Sequence, residues 1–240
     1  MLLRVSVTTL EAFRRVVQTD WASENELYNK IVGKFVYTGW QAGAGKAWHS
    51  ILQHLPNLLD MQVHADLLGA ELEKGMFDAD LAKIRLIRWD KHVFYRAQAE
   101  LAHAELGDGV FEVKATIPVR TDYGPCTLVA KADHLRGTTI SDAKCKFGQI
   151  AAKEYENDLQ WRAYLFVHGA RRFCYRCVAF GAEPKEMANG MSLHTARESQ
   201  SFAFYPYPEM ADDVRGWLNR FLHWCHNRGI MHYLEREGTD

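Results

Sequence analysis

Three residues in the stretch "KADHLRGTTISDAKCK" (131–146) have the types and spacing to handle a phosphate: Asp133, Asp142 and Lys144. Between the two acids lies "RGTT", in which Gly137 suits the first central position of a type II′ turn. That turn pairs Arg136 with Thr139 and, counting outward, sets Asp133 opposite Asp142. Directly opposed residues of a hairpin share a face, with Cβ atoms about 4.5–5.5 Å apart. Two carboxylates so placed repel, and a divalent cation relieves the conflict because hard cations take carboxylate oxygens. Lys144 falls on the same face by the strand period of two. A metal beside a lysine suits phosphodiester cleavage. The metal polarises the phosphate and lowers the pKa of a bound water; the lysine orients that water or stabilises the developing charge. Gln160 and Tyr164, at i and i+4, share a helical face from which they contact a phosphate or hold the lysine-bearing strand.

The elements that must position these groups are legible in outline. "VTTLEAFRRVV" reads as a short helix capped by a Thr, with Leu10, Phe13 and Val17 on one face. In "GWQAGAGKAWHSIL" the glycines read as a flexible lead-in to a helix. There Trp48, Ile51, Leu52 and Leu55 form an apolar stripe, and His49 lies one residue off it. From Asp78 to Leu106 neither Gly nor Pro occurs, and the segment reads as helical. Three strands follow, "VFEVKATIPVRT", "CTLVAKADHL" and "TISDAKCKF", joined by "DYGP" and "RGTT". "KEYENDLQWRAYLFVHG" reads as one helix ending at a Gly. "RRFCYRCVAF" and "SFAFY" read as strands. Val214, Trp217, Leu218, Phe221, Leu222 and Cys225 stripe a last helix. The expected architecture is α/β, a central mixed sheet flanked by helices. One domain spans 1–240: a helical N-terminal portion to about 106, a sheet core over about 107–205 and a C-terminal helix over about 208–228.

Bulk properties narrow the classes. The chain has 240 residues, 48% hydrophobic and 25% charged, with a formal net charge of −1. That is globular composition with no global basic field. No apolar run of membrane-spanning length occurs, and the N-terminus lacks a signal peptide's h-region. Five cysteines suit free thiols in a reducing cytoplasm.

In order along the chain, His49, Asp133, Asp142-Ala143-Lys144 and Gln160-x-x-x-Tyr164 resemble the PD-(D/E)xK nuclease superfamily in its RecB-like exonuclease branch. "GKAWHSIL" resembles that branch's early His motif, and "VSVTTLEAFRR" its opening segment; the likeness runs from about residue 5 to 180. It implies a restriction-endonuclease-like core and a DNA nuclease, exonuclease favoured, in recombination, repair, phage replication or defence. It implies Mg²⁺ or Mn²⁺ on Asp133, Asp142 and the Ala143 carbonyl, with His49 as a further ligand or orienting one. Lys144 would act on the attacking water, and Gln160 and Tyr164 would support substrate and site. Lys46, Lys146 and Arg162 are further candidates for substrate phosphates, and Glu112 for an outer carboxylate. Many relatives carry Thr where Cys145 stands. Single- or double-stranded DNA ends are the expected partner, with a homo-oligomer or a recombination or annealing protein as a further one.

Competing motifs carry less. A phosphate-binding loop needs Gly five residues before the Gly of Gly-Lys and a hydroxyl after Lys; Trp40 and Ala47 stand there. Some RecB-like nucleases hold an iron–sulfur cluster on four cysteines. Here Cys174 and Cys177 face opposite sides of a predicted strand and no early partner precedes Cys126, so no cluster is expected. In "HWCH", Cys225 belongs to the apolar stripe beside His223 and His226. Lys144, Lys146, Lys153, Arg162, Arg171, Arg172 and Arg176 make a basic stretch near Phe147, Tyr155 and Trp161, suited to a strand's phosphates and bases. A nucleic-acid-binding subunit with an idle site is the alternative of a different class.

Overall fold

The computed structural model describes residues 2–34, 39–61, 84–187 and 189–235. Its centre is a long antiparallel hairpin, β4 (Val110–Thr121) and β5 (Gly124–Arg136), followed by β6 (Thr139–Phe147). Gly137 has φ of 56°, as the first position of a type II′ turn requires. The pairs are Arg136 with Thr139, Leu135 with Ile140 and His134 with Ser141, the expected register. Beyond β6 lie β7 (Arg172–Phe180), parallel to it, and β10 (Ala196–Phe204), antiparallel to β7. On the other side, β1 (Leu3–Ser6) pairs parallel with Cys126–Val129 of β5. The sheet is therefore mixed and six-stranded.

This topology leaves a fork. One edge of β5 is paired with β1 as far as Val129 and with β6 only from His134 onward. The stretch between, 130–133, has no ladder partner on that edge. The strand also rolls there. Ala132 packs in one core, whereas His134 lies edge-on against Phe111, which packs against the other. Opposite Asp133, Glu112 has φ of 59°, a left-handed conformation that costs a non-glycine residue of order 1 kcal/mol.

Helices cover both faces. Against one lie α1 (Val7–Gln18), α6 (Leu159–His168) and α7 (Met210–Asn227), burying Leu10, Phe13, Leu128, Tyr164, Phe173 and Phe221. Against the other lies α3 (Trp40–His54), whose stripe Trp48, Ile51, Leu52 and Leu55 is buried as expected. With it pack α4 (Arg96–Leu106) and a small sheet of β2 (Leu86–Trp89), β3 (His92–Tyr95), β8 (Lys185–Glu186) and β9 (Ser192–His194). Remaining helices are α2 (Glu24–Ile31) and α5 (Ala152–Glu156).

Several expectations are corrected. The N-terminal part is not uniformly helical. Residues 86–95 form a hairpin turning at Asp90, which takes φ of 55° without a glycine, and β1 precedes the first helix. Helix before Leu86, over Asp78–Lys83, was expected on residues outside those described. Ser6, not a Thr, caps α1 by accepting from the Thr9 N–H at 3.1 Å, and Val17 is exposed. Gly43 and Gly45 lie inside α3, which begins at Trp40 behind Gly39 at its N-cap, so the glycines form no phosphate loop. A Cβ on Gly43 would stand 2.8 Å from His92 Nε2, which is why that helical position takes glycine. The helix expected over 153–169 breaks at Asn157 and Asp158 into α5 and α6.

That break has a cause in buried charge. Glu11 Oε2 of α1 accepts the Leu159 N–H at 2.8 Å, serving as a remote cap for α6. The same carboxylate takes a two-point contact from Arg14 at 2.7 and 2.9 Å, and Arg14 also binds Asp158 at 2.9 Å. Burial works to raise Glu11, but Arg14 and Arg15 outweigh it and hold it below its ordinary range. Asp158 is pushed up to about 7 by burial and by Glu11. Removing one partner strands the others without water. Glu11→Ala is expected to destabilise the fold by about 3–5 kcal/mol in denaturant unfolding. A loss below about 1 kcal/mol, the value of an exposed pair, contradicts the network.

Candidate active site

At the fork a cleft of about 380 Å³ opens. Ser6 and Thr8 from the start of α1, Lys131 and Asp133 from β5, and Asp142 and Lys144 from β6 line it, with His49 from α3 and Gln160 and Tyr164 from α6. The unpaired edge explains the geometry. Where the β5–β6 ladder stops, Asp133 Oδ2 accepts the Ala143 N–H at 3.0 Å in place of a backbone carbonyl. The Lys131 carbonyl, also on the open stretch, accepts the Tyr164 hydroxyl at 2.8 Å. The polar groups that the fork frees are thus bound by the side chains that build the site.

Asp142 is buried and Lys144 follows it on the same face, beside Tyr175. Lys144 Nζ lies 2.5 Å from Asp142 Oδ2 in a close ion pair, and no other group donates to that oxygen among the described residues. Gln160 bridges the two. Its Nε2 donates to Asp142 Oδ1 at 3.1 Å and its Oε1 accepts from Lys144 at 3.2 Å. Burial opposes charge on Lys144, but Asp142 and Asp133 outweigh it and raise its pKa. Asp133 goes the other way for a carboxyl: burial, then the adjacent Asp142, push it well above its ordinary range. His49 Nδ1 stands 3.3 Å from Asp133 Oδ2, beside the Ala143 backbone. Burial, with Lys144 adding, lowers its pKa, so the imidazole is neutral at pH 7 and can offer a lone pair.

The fold brings His49, Asp133, Asp142, Ala143, Lys144, Gln160 and Tyr164 together. Lys46 is exposed on α3 one turn before His49. Lys146 pairs with Glu154 just beyond the cleft. Arg162 is directed elsewhere, over Trp161 and towards the Glu156 carbonyl. Trp161 and Tyr155 are buried and closed to stacking on bases. Glu112 lines the cleft, paired with Lys131. Ser6, Thr8 and Lys131 were not singled out from the sequence; the first two are visible only as cap chemistry, the third as one more strand lysine.

Among the described residues no three His, Cys, Asp or Glu side chains stand as a ready cage for a metal. The donor set nonetheless fits a hard divalent cation. It offers two close carboxylates, one with an oxygen met only by the Lys144 ammonium, and a neutral imidazole. Among the described residues no helix is long and apolar enough to cross a membrane.

No family model and no curated protein matches the chain. Among solved structures it is similar to SSO0001, with a TM-score of 0.49, 13% identity, and 93% of this chain and 77% of that one covered. It is similar to the alkaline exonuclease LHK-Exo from Laribacter hongkongensis, at 0.45, 12% identity, and coverage of 96% and 91%. For a phage-related exonuclease from Haemophilus somnus 129PT the values are 0.36, 13%, 93% and 97%.

A carboxyl whose pKa is raised must, where it is protonated, release its proton to bind a cation. Mn²⁺ affinity is therefore expected to climb with pH below the raised pKa of Asp133, by up to about tenfold per unit for one proton. Asp133→Asn should flatten that dependence in calorimetric titrations. Affinity independent of pH in the unaltered protein contradicts the assignment.

Proposed function

We propose that the chain is a divalent-metal-dependent nuclease acting on DNA, of the PD-(D/E)xK superfamily and its RecB-like exonuclease branch. The observation that carries this reading is the convergence of His49, Asp133, Asp142, Lys144 and Gln160 in one cleft from four separate elements. No packing role requires two acids and a lysine to share so buried a place, whereas a phosphodiester and its cation do.

Asp133, Asp142 and the Ala143 carbonyl would hold Mg²⁺ or Mn²⁺, with His49 as a further ligand or orienting one. When bound, the ion supplies charge that polarises the phosphate and favours deprotonation of a water. Lys144 is held by Gln160 with its ammonium in the cleft, poised to orient the nucleophilic water or to offset charge gathering on the phosphate oxygens. Gln160 sets the separation of acid and lysine by donating to one and accepting from the other. Tyr164 pins β5 through the Lys131 carbonyl, which keeps Asp133 at the fork. Its hydroxyl stays protonated, since burial and then Asp142 and Asp133 raise its pKa.

The test is digestion of end-labelled linear and closed circular DNA with Mg²⁺ or Mn²⁺. The expected result is loss of linear DNA from its ends with circles left intact. Lys144→Ala and Asp142→Ala should each cut the rate by roughly 10²–10³-fold or more. Binding without turnover in the unaltered protein would favour an idle-site DNA-binding subunit; equal cleavage by both variants would remove these residues from the chemistry.

A further inference from the structure

The basic surface does not end at Lys144. Lys146 lies two residues on, about 6.6 Å along β6, on the same face, its ammonium above the Tyr155 ring. There a second concavity of about 390 Å³ opens between the C-terminal half of α1 and α5. Its cations are Arg14, Arg15, Lys146 and Lys153. Glu11 and Asp158 face the two arginines and Glu154 faces Lys146, which leaves positive charge in excess. Lys153 is exposed and makes no ion pair among the described residues. Lys144 lines the cleft and Lys146, two residues on along β6, lines the concavity, so the two adjoin.

At the rim stands Trp21, 73% exposed, with the Arg15 guanidinium 6.0 Å from its ring centre. The aromatics nearer the sheet, Tyr155 and Trp161, are buried and cannot receive a base. An open indole beside a group of cations matches the two faces of a nucleotide. The cations take the phosphate and the indole takes the base, and stacking of this kind tolerates any sequence.

We propose that this concavity is a second subsite that holds a neighbouring nucleotide of the substrate strand, its phosphate on Lys146, Lys153 and Arg15 and its unpaired base on Trp21. The inference rests on the nuclease reading and deepens it: the strand entering the cleft is single-stranded at this point. Inside a duplex both faces of a base are covered by its stacked neighbours, so none is free to lie on Trp21.

Binding of a fluorescently labelled oligothymidylate of about 20 nucleotides, followed by anisotropy in EDTA, tests the subsite apart from catalysis. Trp21→Ala is expected to weaken binding about 5- to 100-fold, with most of the affinity restored in Trp21→Phe. Lys153→Ala should reduce the slope of log affinity against log salt by about 0.7. All three should hydrolyse bis(p-nitrophenyl) phosphate with Mn²⁺ at the unaltered rate, because that ester is too small to need the second subsite. Unchanged oligothymidylate binding by Trp21→Ala overturns the proposal. So does an equal loss on the small ester, which marks a general structural effect. Trp21-dependent binding by a protein that cleaves no DNA supports the subsite while removing the nuclease reading. Normal DNA cleavage with Trp21 irrelevant to binding removes the subsite alone.

Discussion

The site depends on a ladder that stops. β5 gives one edge first to β1 and then to β6, and between them four residues have no ladder partner on that edge. Unpaired backbone groups inside a fold must be satisfied. Here Asp133 and Tyr164 do so, the first by accepting the Ala143 N–H, the second by donating to Lys131. The same opening that removes the ladder admits a ligand between strands. It also forces Asp133 against Asp142 at low exposure, where two negative charges are costly. The structure answers in part by raising the pKa of Asp133 and by setting Lys144 against Asp142. A hard cation and a phosphate would answer more fully, which is the physical content of the functional reading.

Support for this opening reaches far from it. Gln160 and Tyr164 are useful only if α6 begins where it does, and α6 begins at the Glu11–Arg14–Asp158 network. The N-terminal helix thus acts twice. Its first residues line the cleft, and its middle anchors the helix that steadies Lys144. On the far face, the buried stripe of α3 fixes the helix so that His49, just off the stripe, arrives beside Asp133.

Much of this was legible in residues whose signal is local. The Gly137 turn determined the register, and the register determined which acids oppose; period two added Lys144 and i, i+4 spacing added Tyr164 to Gln160. What escaped was non-local or atypical. Asp90 turns a hairpin with a left-handed backbone usually given to glycine, so the strands around it read as helix. The glycines of α3 resembled a loop because the reason for Gly43, the His92 ring against it, lies nearly fifty residues away in sequence. Asp158 interrupts a helical stretch through partners on α1 that no sequence window contains. Trp21 was invisible as a surface feature, since nothing local distinguishes an open tryptophan from a buried one.

The central claim is that Asp133 and Asp142 together hold a divalent ion beside Lys144. Anomalous scattering from crystals soaked in Mn²⁺ tests it most directly. The account predicts a manganese peak between the two carboxylates, with Lys144 Nζ drawn away from Asp142 Oδ2. An empty fork with the Lys144–Asp142 pair still closed, while manganese binds elsewhere on the molecule, would contradict it.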